Sequence, residues 1–198
     1  MDQPQKRTLT KMEQVKRAAL ELFAAHGVEK VSMDEIAARA NVSKMTIYKY
    51  FGGKEELHAE VVRFFIDQTL GAIEDVLNSD MDFLEKLKFI LLTQVQSPQI
   101  ASISDYARIL ESDTQTAQDI GERLEHRVKA LSVRFFEEGQ RQGYIDENLS
   151  FEALFLYSQV FQAGFRAKSR ELEVVFAEDR HTFEQLLNLY FYSVLKRR

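Results

Sequence analysis

Val31–Lys54 reads VSMDEIAARANVSKMTIYKYFGGK, and its punctuation decides the fold. Ser32 is followed three residues later by Glu35, the spacing at which a serine hydroxyl takes the third amide of a helix and the glutamate reaches back. The helix this box opens carries Met33, Ile36, Ala37 and Ala40 on one face. Asn41 then stands where a left-handed turn residue is wanted, and asparagine visits that region more cheaply than most residues. Val42 follows, and Ser43 is the next N-cap. Cap, short helix, turn and second cap within a dozen residues are the layout of a helix-turn-helix.

The angular positions in the second helix separate its faces. At about 100° per residue, with Ile47 at zero, Phe51 falls at about 40°, and this pair points to a core. Met45 and Lys49 fall opposite, at about 160° and about 200°, with Tyr48 at about 100° and Thr46 at about 260°. Met45, Thr46, Tyr48 and Lys49 therefore form one outward arc, and Lys44 sits in the first turn beside it. A cation, a hydroxyl, a phenol and an apolar contact are the tools for reading base edges and holding phosphates. The competing reading packs Met45 and Tyr48 on a neighbouring helix.

Residues 11–57 resemble the DNA-binding domain of the TetR family of bacterial regulators. The stretches that carry the resemblance are ELFAAHGVEKVSMDEIA and ANVSKMTIYKYFGGKEEL. Phe23 and Gly27 match the aromatic and glycine at the end of the family's first helix. Ser32 matches its opening hydroxyl residue, and Ile36-Ala37 its apolar pair. Tyr48, Tyr50 and Phe51 match its recognition-helix run, and Lys54 the lysine that opens the next helix. The resemblance implies DNA contacts from Ser32, Lys44, Thr46, Tyr48, Tyr50 and Lys54; the outward arc adds Met45 and Lys49. By angle Tyr50 lies nearer the core, so its contact would come from the helix end. Lys54 places charge and free amides where one phosphate can be clasped. Asn41 replaces the family's usual turn glycine, Met45 stands where glycine is frequent, and Gly52-Gly53 replaces a more usual Pro or Ser combination. Met45 puts a bulky side chain into the reading surface, so the operator is harder to infer.

Charge is divided along the 198 residues. Residues 1–54 hold ten Lys/Arg against six Asp/Glu, a balance of +4, while residues 55–198 hold sixteen against twenty-five, −9. The first segment is read as the helix-turn-helix domain and the second as a ligand-binding and dimerisation domain, whose acidity keeps it off DNA. Lys6, Arg7 and Lys11 read as a mobile arm that follows the phosphate backbone; a solubilising tail is the alternative. The absence of cysteine excludes disulfides and thiolate metal sites. MDQPQKRTLTK has no apolar core of a signal peptide, and runs such as 89–92 are too short to cross a membrane. A cytoplasmic location is expected.

Few Pro and Gly imply an all-α chain of about nine helices, by periodicity and caps. Val15, Ala18, Ala19, Leu22 and Phe23 give the helix over 10–26 one buried face, ended by Gly27. Further helices are expected over 54–77, 81–96, 97–111, 114–142, 150–168 and 179–198. The last two carry apolar residues on two faces, with Ala163, Gly164 and Ala167 permitting close approach. One face suits the home core and the other a second copy, so a homodimer through these helices is expected, as the resemblance also implies. A dimer predicts a palindromic DNA site.

Phe89, Tyr106, Phe155, Gln159 and Gln162 are the candidates for holding a small, mostly apolar ligand, apolar lining with a few polar groups being usual for such pockets. Arg108 is a further polar group on an otherwise apolar helix. For each polar group, a solvated or capping role competes with ligand contact. No enzyme chemistry is legible. His26, His58, His126 and His181 show no metal-ligand spacing. Glu55-Glu56 and Glu137-Glu138 point to different sides of a helix, and no cofactor loop or nucleophile elbow appears. The expectation is a ligand-released dimeric repressor. The alternatives are a DNA-binding regulator without a small inducer, and a helical ligand-binding protein that has lost DNA binding.

Overall fold

The computed structural model describes residues 3–96 and 115–168, together with residues 179, 181, 182, 185, 186 and 189. Seven helices fall among the described residues: α1 Gln3–His26, α2 Met33–Ala40, α3 Lys44–Phe51, α4 Lys54–Leu77, α5 Phe83–Gln96, α6 Gln115–Arg141 and α7 Phe151–Ala167. The helix expected over 97–111 lies outside the described residues, and that over 179–198 largely so. Asp179, where that last helix was expected to begin, accepts the Thr182 amide at 3.1 Å.

The expected N-terminal arm is instead the first two turns of α1. Residues 3–10 contain no glycine, and Pro4 sits in the first turn, where its missing N–H has no partner to lose. The anticipated face of α1 is buried: Val15, Ala18, Ala19 and Phe23 are each at most 5% exposed. Gly27, at φ +79°, ends the helix with its amide on the Phe23 carbonyl at 2.8 Å.

The chain packs as two compact units. The first comprises residues 1–75 and 90–125, the second residues 76–89 and 126–198. The first unit is organised around the inner faces of α1, α2, α3 and α4. Ile36, Ile47, Leu57, Val61 and Val62 are fully buried there, with Ile120 of α6 joining them. A helix as short as α3 is marginal alone, so the burial of Ile47 and Phe51 is what holds it. The Arg39 guanidinium on α2 donates twice to the Glu21 carboxylate of α1, at 2.7 and 3.1 Å. On α1, Lys16 and Arg17 lie over the Phe64 ring of α4, at 5.3 and 5.7 Å from its centre.

The second unit is built on Phe83. Its ring is fully buried and stacks on Phe135 at 4.7 Å and on Tyr144 at 5.1 Å. Gly139 on α6 makes room for it: a Cβ there would lie 2.6 Å from Phe83 Cζ and 2.7 Å from Ile145 Cδ1. Gly143, at φ +75°, follows the end of α6. Ser150 caps α7 by accepting the Ala153 amide at 3.2 Å. Buried Leu154 and Ser158 mark the inner face of α7, flanked by half-buried Phe151 and Phe155. Its opposite face is apolar and exposed: Leu156 is 61% and Val160 64% accessible, in line with exposed Ala163, Gly164 and Ala167.

Candidate nucleic-acid interface

The capping box that opens α2 is formed in full. Ser32 Oγ accepts the Glu35 amide at 3.2 Å, while the Ser32 amide and hydroxyl both donate to Glu35 Oε2 at 2.7 Å. The hydroxyl bond first, and the amide bond second, hold the Glu35 carboxyl below its ordinary pKa by favouring the charged form. Asn41 ends α2 in the left-handed region, at φ 53° and ψ 48°. Ser43 then caps α3, taking the Thr46 amide at 3.1 Å. The two short helices are thus set by local hydrogen bonds at their ends and by the shared core beneath them.

α3 presents the arc read from its sequence. Met45 is 79% exposed and Tyr48 44%, while Ile47 is fully buried. Lys44 and Lys49 are exposed. Exposed Met and Tyr that serve no core leave the competing reading, packing on a neighbouring helix, without support. Thr46 is half-buried and shares a hydrogen bond between its Oγ1 and Ser43 Oγ at 2.7 Å, so its hydroxyl is oriented by the cap. Tyr50 is 39% exposed, more open than its angle suggested, and the Lys49 ammonium lies 5.5 Å from its ring centre.

Two lysines at the rim have protein partners. Lys44 Nζ donates to Asp34 Oδ2 of α2 at 2.8 Å, and this bond raises the lysine's pKa above its ordinary value. Lys54 Nζ, at the start of α4, donates to the Glu29 carbonyl at 3.2 Å. Asp34 and the Glu29 carbonyl were absent from the sequence reading, and so was the role of Ser43 in orienting Thr46. Asp34 had a signal, an acid in the first turn of a helix crossing the motif, but its partner lies across the turn. The whole group, Ser32, Lys44, Met45, Thr46, Tyr48, Lys49, Tyr50 and Lys54, belongs to residues 32–54 of the first unit.

The ligand candidates are not gathered in the same way. Phe89 is half-buried on α5, Phe155 is half-buried and stacked on Phe151 at 5.3 Å, and Gln159 is exposed on α7. Tyr106, Arg108 and the Gln162 side chain lie outside the described residues. An open cleft of about 270 Å³ occurs in the first unit, lined by Met12, Tyr50, Phe51, Glu56, Glu60 and Arg63 among others, and none of the described candidates, Phe89, Phe155 and Gln159, lines it. Among the described residues there is no group of three potential metal-ligating side chains, and no helix is long and apolar enough to cross a membrane.

Two capped helices about a left-handed asparagine, with the second presenting Met, Tyr and Lys outward over a buried Ile and Phe, define a helix-turn-helix DNA-binding protein. Residues 17–61 match the family model described as bacterial regulatory proteins, tetR family. The transcriptional activator FasR of Mycolicibacterium smegmatis is 28% identical over 120 residues, covering 61% of this chain. The match spans 54% of FasR, about half its length. The transcriptional repressor KstR2 of Mycobacterium tuberculosis is 24% identical over 144 residues, 70% of this chain and 71% of that protein. A regulator from Saccharomonospora viridis, solved in complex with choline, shares the fold at a TM-score of 0.72 and 18% identity, over 94% of this chain and 98% of that one. Residues 17–61 thus carry the DNA-binding domain of the TetR family of bacterial regulators.

Proposed function

We propose that the chain is a dimeric repressor that binds a palindromic operator and is released by a small, mostly apolar ligand. Residues 1–54 serve as the DNA-binding domain and residues 55–198 as the ligand-binding and dimerisation domain. The observation that carries the reading is the exposed arc of α3. Its position over buried Ile47 and Phe51 leaves its outer side chains free to enter a major groove. In this reading Met45, Tyr48 and Lys49 face base edges and nearby phosphates. Ser32, Lys44, Thr46, Tyr50 and Lys54 grip the backbone on either side.

Dimerisation is supported by the outer face of α7. Leu156, Val160, Ala163, Gly164 and Ala167 recur at helical spacing, remain accessible in the single chain and include residues small enough for close helix contact. Repression follows the direction of KstR2, whose match covers most of both chains, rather than that of FasR. A ligand is supported by the choline-bound regulator of the same fold, and Phe89, Tyr106, Phe155, Gln159 and Gln162 remain its proposed contacts here. The location is cytoplasmic in this reading, where the DNA is.

The test is fluorescence anisotropy of purified protein with labelled DNA from upstream of its own gene, at two salt concentrations. Tight, palindrome-dependent and salt-sensitive binding is the expected result. Weak binding that ignores sequence at every upstream fragment would reject it.

A further inference from the structure

We propose that Asp34 sets the affinity of the DNA interface by competing with phosphate for Lys44. The inference rests on the assignment of α3 as the recognition helix and adds a regulating partner to it.

The geometry is specific. Asp34 lies in the first turn of α2 and Lys44 is the first residue of α3, so their 2.8 Å ion pair bridges the two helices of the motif. Both side chains are open to solvent, 71% exposed for Asp34 and 46% for Lys44. An exposed pair of this kind is weak and screened by salt, so an arriving phosphate can take the lysine from it. In helix-turn-helix docking the first helix crosses the DNA backbone while the second enters the groove. That places the Asp34 carboxylate beside the phosphates that Lys44 would hold. The carboxylate then opposes binding twice. It must release the ammonium, and once released it stands as an uncompensated negative charge against DNA.

The consequence is measurable as a thermodynamic cycle. Asp34→Asn is expected to tighten binding to the labelled upstream duplex by about two- to fivefold at low salt, the worth of an exposed ion pair. It should also steepen the dependence of log K on log salt by about one per protomer. In a Lys44→Ala background the gain from Asp34→Asn should shrink, because only direct repulsion is left to relieve. Asp34→Ser provides a second neutral variant, and circular dichroism with a thermal melt verifies that each protein is folded. A folding defect would weaken binding, so it cannot imitate the expected gain.

A gain from Asp34→Asn that is larger with Lys44 present supports the competition. An equal gain in both backgrounds reduces Asp34 to simple charge repulsion and overturns the proposal, as does no gain at all. The two levels of failure are distinct. Wild-type protein that binds no DNA rejects the regulator reading and this inference with it. Salt-sensitive wild-type binding with no effect of Asp34→Asn rejects the role of Asp34 alone.

Discussion

The Lys86 ammonium and the Glu138 carboxylate meet at 2.8 Å inside the second unit, with the lysine side chain 5% and the glutamate 13% exposed. The same ammonium donates to the carbonyl of Leu77, the last residue of α4, at 3.1 Å. A cation on the last carbonyls of a helix also satisfies groups that have no partner within it. Gln142 Nε2 donates to Glu138 Oε1 at 2.9 Å, so the carboxylate too has a second partner. A pair this dry is tolerated because both charges are hydrogen-bonded further.

Removing one member should therefore cost more than removing both. Lys86→Ala leaves the Glu138 carboxylate without its counter-charge and is expected to lower stability by about 3–5 kcal/mol. Lys86→Met combined with Glu138→Leu should recover most of that loss. Urea unfolding followed by circular dichroism checks both, and an unchanged midpoint for Lys86→Ala would rule out a structural role for the pair.

Two glycines of α6 should respond to alanine in opposite directions. At Gly139 the new methyl meets Phe83 and Ile145 closer than carbon atoms approach, and overpacking of this kind costs about 1–3 kcal/mol. At Gly121 no such atom of the described residues lies within 4 Å, and the gain in helix propensity is about 1 kcal/mol. Thermal melts of Gly139→Ala and Gly121→Ala should move down and up respectively.

The capping box has a pH signature. Glu35 is held below its ordinary pKa by the Ser32 hydroxyl and amide, so folding favours its charged form. Its contribution to α2 is complete above the unfolded glutamate pKa and is lost as the pH falls through the lowered folded value. Ser32→Ala removes the larger cause, and the Glu35 titration should then move upward toward the ordinary range. Carboxyl-carbon NMR titration of the two proteins reads this directly; coincident curves would exclude the hydroxyl as the cause.

The exposed stripe on α7 makes a prediction about assembly. Val160→Glu puts a charge at the centre of the proposed dimer face, on a residue 64% exposed in the single chain. Helicity should persist while sedimentation shows monomers, and operator affinity should fall because two reading heads are no longer linked. A dimer that survives Leu156→Glu and Val160→Glu together would move the interface elsewhere.

What was legible in the sequence was mostly local. Ser32, Glu35, Asn41 and Ser43 act within four residues of themselves, so spacing alone revealed the capped helices. The spacing of Ile47 and Phe51 likewise separated core from reading surface. The Lys86–Glu138 pair was not legible, since its partners are 52 residues apart and a lysine within an apolar helix reads as a solvated one. Asp34 and Lys44 are only ten residues apart, yet a turn intervenes and helical periodicity does not carry across it. Lys6, Arg7 and Lys11 were read as a mobile arm, yet they lie in α1, and nothing in residues 3–10 breaks a helix. Ligand contacts were the least legible. They depend on which side chains of separate helices converge, and periodicity within one helix cannot supply that.

The most direct test of the DNA-reading surface is the affinity of Tyr48→Ala for the operator, measured by anisotropy beside wild type, with circular dichroism on both. Loss of a hydrogen bond to a charged phosphate predicts binding weaker by about tenfold or more, with the helical signal unchanged. Operator binding as tight as wild type would contradict the assignment of the outward face of α3 to DNA.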